Sequence, residues 1–206
     1  MTPPDWSSFL GQVLTWHDNS KTELLRFTLL QAGGRWSGER GQTLTRILKV
    51  PYLNKAPEFL KLWAGFTPLA LDDWTRTLKS GSRMAYQMGL EQARSLGFHD
   101  VLFLDSEQRI LETSTGNLMF RIHGQWITPP LAHGLLPGVA RAWLLESGLV
   151  SEGSISYHQL KAVDGAAMTN AVRGVVPIVA IDELICDVRP VIELKERLGP
   201  RHFCAP

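Results

Sequence analysis

The chain has 206 residues, of which 44% are hydrophobic and 20% are charged, so it can bury a large core and is not a disordered or fibrous protein. Its 21 basic and 20 acidic residues give a formal net charge of +1, and no run of like charges marks a surface for nucleic acid or an anionic membrane. The composition therefore favours a role with small molecules.

Cysteine and histidine usage indicates no metal site. Cys186 and Cys204 are too few for a disulfide framework, and the six histidines are scattered without ligand spacing. We therefore expect no bound metal and free thiols in a reducing compartment. The sequence also shows no leader pattern and no run of roughly 20 apolar residues, so we expect a cytoplasmic protein.

The first third of the chain predicts a small lobe that mixes helix and strand. Phe9, Leu10 and Val13 recur at helical spacing, which predicts an amphipathic helix over residues 6–16. Residues 21–30 and 43–50 predict strands, and the glycine-rich stretch 33–41 matches no phosphate-binding pattern. Because proline and glycine interrupt residues 56–74, we assign a partial small α/β lobe to residues 1–65 and a larger domain to residues 66–206.

The remainder predicts strands with a few inserted helices. A helix capped by Ser80 runs to about residue 96, and the residues on its packing side are Ala85, Met88, Gly89, Ala93 and Leu96. His123-Gly124 between two apolar runs is a hairpin signal. The other predicted strands cover residues 100–105, 110–111, 117–122, 125–128, 155–158, 166–169 and 175–181, and the other predicted helices cover residues 139–147 and 190–198.

Lys79 is a candidate nucleophile. It lies just before the predicted helix, with Arg76 and Arg83 close in sequence. A lysine that bonds to a carbonyl carbon must lose a proton, which burial or a neighbouring cation favours. A lysine at a helix start is more often a solvated surface residue, so this position is informative only together with its partners.

The segment at residues 111–118 provides such a partner. Glu112 follows two apolar residues and precedes three hydroxyl side chains, those of Thr113, Ser114 and Thr115. The carboxylate either caps a turn or accepts a hydrogen bond from a protonated pyridine nitrogen, so that pyridoxal phosphate can draw electrons from a substrate carbon. Lys79 and Glu112 would then hold opposite ends of that cofactor.

Gly138 opens the predicted helix at residues 139–147 directly after a proline. Free N–H groups at Gly138, Val139 and Ala140, together with the helix dipole, suit a phosphate group. A simple helix start after a turn has the same sequence pattern, so this motif does not decide the function alone.

Together the motifs carry a family resemblance. They are, in chain order, Lys79, the strand at 100–105, Glu-Thr-Ser-Thr-Gly-Asn-Leu at 112–118, Thr-Pro-Pro at 128–130, Leu-Pro-Gly-Val-Ala-Arg at 136–141 and Thr-Asn-Ala-Val-Arg-Gly-Val-Val-Pro at 169–177. This order resembles that of class IV aminotransferases, and the resemblance covers about residues 20–200. It implies an α+β, two-lobed fold-type IV enzyme like D-amino acid aminotransferase, with a β-rich pseudo-barrel domain that binds pyridoxal 5'-phosphate.

The resemblance implies roles for the matching residues. Lys79 resembles the lysine that binds the cofactor and transfers protons, and Glu112 resembles the partner of the pyridine nitrogen. The other implied cofactor contacts are Arg83, Ser114 and Thr115 near the ring, Gly138, Val139 and Ala140 at the phosphate, and Asn170 and Ala171 at a second phosphate contact. Arg173 is a candidate contact for a substrate carboxylate.

Two departures from the family pattern bear on activity. Branched-chain enzymes have a tyrosine five residues after the lysine, where this chain has Met84. An arginine four residues after the lysine, here Arg83, is closer to aminodeoxychorismate lyase, as is Asn170-Ala171. The first strand of the family and its phosphate-binding arginine have no counterpart in this sequence, so we expect a shortened small lobe.

These features leave three functions open. The first is a lyase that splits aminodeoxychorismate into 4-aminobenzoate and pyruvate for folate synthesis. The second is a class IV aminotransferase that acts on an amino acid and a 2-oxo acid. The third is a shortened family member without turnover that serves as a binding protein. By analogy with the family, we expect a homodimer.

Overall fold

The computed structural model describes residues 23–32, 42–51, 57–65, 69, 74–81 and 83–199. The chain divides into two compact units, Met1–Ala56 and Pro57–Pro206. The first unit contains strands β1 (Glu23–Ala32) and β2 (Gln42–Pro51), which were both predicted and which pair antiparallel. The predicted helix at 6–16 and the glycine-rich stretch at 33–41 lie outside the described residues. The predicted boundary after residue 65 falls inside the second unit, and the division into lobes stays a prediction.

The second unit alternates strands and helices. Its strands are β3 (Leu60–Trp63), β4 (Asp100–Leu104), β5 (Ile110–Thr113), β6 (Asn117–Ile122), β7 (Gln125–Thr128), β8 (Val150–Glu152), β9 (Val163–Asn170), β10 (Gly174–Ile181) and β11 (Leu184–Ile185). Its helices are α1 (Met84–Ser95), α2 (Val139–Glu146) and α3 (Arg189–Leu198), with 3-10 turns at Trp74–Thr77, Leu131–His133 and Tyr157–Ala162. None of the described helices has the length and apolar character needed to cross a bilayer.

Strand pairing closes part of this sheet into a ring. β10 pairs with β3, β3 with β4, β4 with β5 and β5 with β6, while β9 pairs with both β6 and β10. β7 and β8 extend the sheet beyond β6, and β11 lies beside β10. Closure leaves the ring strands without free edges, which gives a barrel-like core.

Strand β4 shows how this core is filled. All five of its residues are buried. Leu102 and Leu104 belong to the apolar cluster inside the ring, and Val101 and Phe103 belong to the cluster beneath α1. A third cluster lies beneath α2 and α3. Because helices cover the outer face, β4 reads as a continuous apolar run, as for any strand buried on both sides.

The first helix of this unit differs from the prediction in its start and in part of its buried face. α1 begins at Met84 with Arg83 as its N-cap, so Ser80 is not the cap. Its buried residues are Tyr86, Gly89, Leu90 and Ala93, spaced as expected for one helix face. The prediction was right for Gly89 and Ala93 and wrong for Ala85, Met88 and Leu96, which are exposed. Tyr86 takes the inward position because its ring packs against Phe103 of β4 and its hydroxyl meets a buried carboxylate.

Two further predictions need correction. β3 lies within residues 56–74, which we had taken as a passage between lobes, and it joins the ring in parallel with β4 and β10. The predicted strand at 155–158 instead leads into the 3-10 turn, because Ser156 and Gln159 form a capping box there. The predicted hairpin at His123-Gly124 is confirmed, with both residues at positive φ.

Gly116→Ala should destabilise the barrel. A Cβ at Gly116 would lie 2.6 Å from the backbone oxygen of Thr169 and would overlap the Met168 sulfur. Because β9 cannot shift without losing strand pairing, we expect the free energy of unfolding in urea to fall by about 2–3 kcal/mol. Gly81→Ala is the control, since its Cβ meets nothing within 4 Å, and should change stability by less than about 0.5 kcal/mol. Equal stabilities of the two variants would contradict this packing.

Candidate active site

The hydroxyl-rich turn between β5 and β6 is held by its own side chains. The Thr113 hydroxyl accepts the N–H groups of Thr115 (3.2 Å) and Gly116 (3.0 Å). The buried Asp100 carboxylate accepts the Ser114 N–H at 3.1 Å and the Thr115 hydroxyl at 2.8 Å. The Thr115 hydroxyl is therefore engaged by protein, whereas the buried Ser114 Oγ has no hydrogen-bond partner among the described residues.

A β-bulge directs the glutamate that precedes this turn. The register of β5 on β4 shifts between Ile110 and Thr113, so that Leu111 and Glu112 both lie opposite Phe103. A bulge bends its strand and re-aims the side chains on it. Leu111 packs in the cluster beneath α1, and Glu112 also faces that helix.

Glu112 is a buried carboxylate, 4% exposed, with its two oxygens in different surroundings. Oε1 accepts the Tyr86 hydroxyl at 2.6 Å. Oε2 has only two long contacts, with the backbone N–H of Leu136 at 3.3 Å and the amide of Asn117 at 3.4 Å. Burial raises the pKa of Glu112, and the Tyr86 and Leu136 hydrogen bonds oppose this rise.

The segment that carries Lys79 is anchored near Glu112 at both ends. Before it, the buried Arg76 hydrogen-bonds the hydroxyl of Tyr86. After it, Arg83 donates to the Ser114 carbonyl oxygen at 2.5 Å, and its guanidinium lies 4.3 Å from the centroid of the Tyr86 ring. Both arginines also help to keep Glu112 ionised. Arg83, at the start of α1, is thereby fixed against the β5–β6 turn.

Lys79 itself is exposed in the described structure. The role of Lys79 as the covalent attachment site stays a prediction.

Asn117 connects Glu112 to the start of α2. Its amide donates to the Leu136 carbonyl oxygen at 3.0 Å as well as reaching Glu112. Gly138, the N-cap of α2, lies so close that a Cβ there would overlap Asn117 Oδ1. The carboxylate and the helix start are therefore neighbours, and their binding of one cofactor stays a prediction.

The first turn of α2 fits the predicted phosphate site. No side chain caps this helix end, and the first N–H groups of a helix have no partner within the helix. Val139 is exposed and Ala140 is buried. Arg141 is 3% exposed and fixes the helix by donating to the Pro129 carbonyl oxygen at 2.8 Å and to Glu152 at 2.5 Å.

The turn between β9 and β10 meets the hydroxyl-rich turn. Asn170 Oδ1 accepts the N–H of Arg173 at 2.8 Å, and its amide donates to the Thr115 carbonyl oxygen at 3.1 Å. The Asn170 side chain is thus engaged in the turn, the adjacent Ala171 is exposed, and their contact with a phosphate stays a prediction. The Arg173 guanidinium donates to the Pro57 carbonyl oxygen, and its contact with substrate stays a prediction.

These groups fit pyridoxal phosphate. Oε2 of Glu112 suits a protonated ring nitrogen, because it is acidic, buried and only weakly engaged. The partnerless Ser114 hydroxyl offers a polar contact, and the start of α2 offers N–H groups for the phosphate. No cluster of His, Cys, Asp or Glu in the described part of the chain has the arrangement of a metal site.

Tyr86 was absent from the sequence-based prediction. Asp100 and Asn117 appeared there only within motifs, and Arg76 only as a sequence neighbour of Lys79, so their contacts around Glu112 were not predicted. Tyr86 follows Arg83 by three residues, so helical spacing brings the two onto one face, and that was the signal in the sequence. The predicted helix began too early and had a different inward face, which concealed it.

The fold is that of the fold-type IV aminotransferases, and the donor set described above fits their cofactor. The family model for class IV amino-transferases matches residues 11–181. The chain therefore belongs to the class IV aminotransferase family, whose cofactor is pyridoxal phosphate.

Individual relatives agree with this assignment. A Schizosaccharomyces pombe protein named "Putative aminodeoxychorismate lyase" is 30% identical over 174 residues, which cover 80% of this chain and 74% of that protein. The crystal structure of a Legionella pneumophila "Putative 4-amino-4-deoxychorismate lyase" superposes with a TM-score of 0.84 at 24% identity, covering 96% of this chain and 77% of the other. A Brucella abortus aminotransferase bound to pyridoxal phosphate superposes at 0.80, with 20% identity and coverage of 94% and 73%.

Protonation of Glu112 should stabilise the protein without cofactor. Its pKa is raised above the ordinary value of 4.5, so between these two pKa values the folded state binds more protons than the unfolded state. Wild type should therefore lose stability relative to Glu112→Gln as the pH rises above about 4.5. The difference between their free energies of unfolding should fall by at most about 1.4 kcal/mol per pH unit. Urea unfolding from acidic to neutral pH measures this difference, and a flat or rising difference would contradict it.

Proposed function

We propose that this protein is a pyridoxal phosphate-dependent lyase that converts aminodeoxychorismate into 4-aminobenzoate and pyruvate. The observation that carries the proposal is the position of Arg83. This residue follows Lys79 by four positions, and its guanidinium donates to the carbonyl oxygen of Ser114, in the turn beside Glu112. The name of the Schizosaccharomyces pombe relative supports the same reaction. In place of the tyrosine of branched-chain enzymes the chain has Met84, which is 77% exposed.

Lys79 is proposed as the residue that binds the cofactor and moves protons. Its amine would take the proton from the substrate ring carbon that bears the amino group, and a proton would return to the leaving enolpyruvyl fragment as pyruvate forms. Pyridoxal phosphate supplies the electron sink for this chemistry when it is bound. The products together contain all the atoms of the substrate, so the lyase reaction needs no water and no second substrate.

Glu112 is proposed to accept the hydrogen bond of the protonated ring nitrogen through Oε2. An ionised carboxylate in a buried site stabilises a nearby positive charge more strongly than it would in water. Ser114 would place its hydroxyl beside the ring. Thr115 would not bind the cofactor through its hydroxyl, because that hydroxyl donates to Asp100.

The phosphate would be bound by backbone groups. Gly138, Val139 and Ala140 at the start of α2 would supply one set of N–H donors, and Asn170-Ala171 would supply a second. Alanine at position 171 offers no hydroxyl, so this contact depends on the main chain. Arg173 is the proposed partner of a substrate carboxylate.

A class IV aminotransferase is the second candidate. The structural similarity to the cofactor-bound Brucella abortus aminotransferase is nearly as high as that to the Legionella pneumophila protein, with TM-scores of 0.80 and 0.84. The two activities differ in one requirement, since a transaminase needs a 2-oxo acid to complete its cycle and the lyase does not. The protein is proposed to act as a homodimer in either case.

Lys79→Ala should abolish both cofactor attachment and turnover. Wild-type protein mixed with pyridoxal phosphate should develop the visible absorbance of lysine-bound cofactor and release 4-aminobenzoate from aminodeoxychorismate without any oxo acid. The variant should lose the absorbance band, and its rate of 4-aminobenzoate release should fall at least about a hundredfold. Lys161→Ala, a change at an exposed lysine in a 3-10 turn, is the matched control and should behave as wild type.

The same assay separates the candidate functions. If wild-type protein forms product only when a 2-oxo acid and an amino acid are both supplied, the result favours the aminotransferase over the lyase. Wild-type protein that stays colourless with pyridoxal phosphate would end both proposals and favour a family member without turnover.

A further inference from the structure

Tyr86 occupies the centre of the polar network around Glu112. The residue is 6% exposed, and its ring meets that of Phe103 edge-on, with 4.9 Å between centroids. Its hydroxyl donates to Glu112 Oε1 at 2.6 Å and is itself hydrogen-bonded by Arg76. Arg83 covers the ring face at 4.3 Å. Contacts on every side of the phenol therefore fix the position of its hydroxyl.

The protonation state of this phenol determines what it does to the carboxylate. Burial, followed by the negative charge of Glu112, raises the pKa of Tyr86 far above its ordinary value, so the hydroxyl keeps its proton at all physiological pH values. The geometry gives the direction of this hydrogen bond, because the phenol O–H donates to Glu112 Oε1 at 2.6 Å. The Tyr86 hydroxyl is thus a permanent donor to a carboxylate that lies in a buried site.

The other groups that face Glu112 leave its second oxygen available. They are Arg76 from the 3-10 turn, Arg83 from α1, the amide of Asn117 from β6 and the Leu136 N–H. The two donors to Oε2 lie at 3.3 Å and 3.4 Å, whereas Tyr86 lies 2.6 Å from Oε1. A carboxylate oxygen with long contacts keeps most of its acceptor capacity.

We propose that Tyr86 is a positioning residue of the cofactor site, which holds Oε1 of Glu112 so that Oε2 faces the ring nitrogen of pyridoxal phosphate. The inference rests on the proposed pairing of Glu112 with that nitrogen. Tyr86 does not touch the cofactor; it sets the rotamer of Glu112 and keeps the carboxylate ionised. Its effect must therefore depend on the ring nitrogen, which provides a specific test.

Tyr86→Phe should weaken binding of pyridoxal phosphate about tenfold, the usual worth of one hydrogen bond to a charged group. Binding of the deaza analogue, in which a C–H replaces the ring nitrogen, should change by less than about twofold, because that ring offers Glu112 no N–H. Both affinities are measured by titration of protein freed of cofactor. Tyr157→Phe is the matched control, since Tyr157 also donates to a carboxylate, Asp182, at 2.7 Å and lies in a different cluster. It should leave both affinities unchanged.

Each other outcome overturns the inference in an identifiable way. Unchanged binding of pyridoxal phosphate to Tyr86→Phe would show that the hydroxyl does not serve the site. An equal loss for both ligands would indicate a general packing defect, and an equal loss in Tyr157→Phe would indicate a general loss of stability. Glu112→Gln with wild-type affinity for both ligands would remove the pairing on which the inference rests. Absence of 4-aminobenzoate release, in contrast, would refute only the proposed lyase activity.

Discussion

The structure around the site depends on one buried carboxylate and the donors that make its burial tolerable. An ionised Glu112 with no partners would cost several kcal/mol in an apolar interior. The chain meets this cost with Tyr86, the Leu136 N–H and the charges of Arg76 and Arg83. These partners come from separate elements, so the carboxylate fixes the 3-10 turn, the start of α1 and the loop before α2 against β5.

Local backbone geometry makes this arrangement possible. A regular β5 would alternate its side chains, with Leu111 beneath α1 and Glu112 turned towards the apolar interior of the ring. The bulge opposite Phe103 places both residues on the side of α1 instead. One extra residue in a strand therefore separates the acid from the barrel core and brings it to the polar network.

The sequence predicted the elements of regular structure better than the packing between them. Glu112, the hydroxyl-rich turn and Gly138 were singled out as candidates because their residue types carry chemical roles, and β4, the His123-Gly124 hairpin and α3 were found from apolar runs and turn residues. Part of the inward face of α1 was missed because Met88 and Leu96 are as apolar as the buried Leu90, and only tertiary packing chooses between them. The bulge was missed because a register shift has no signature in hydrophobic periodicity.

Asn117 and Leu136 together hold the Glu112 carboxylate beside the start of α2. The Asn117 amide reaches both Glu112 and the Leu136 carbonyl oxygen, and its Oδ1 lies where a side chain at position 138 would otherwise be. The Leu136 N–H also contacts Glu112, so two residues from different parts of the chain maintain the separation between the carboxylate and the helix start. A side chain larger than glycine at position 138 would push the start of α2 away from Asn117 and separate the two sites.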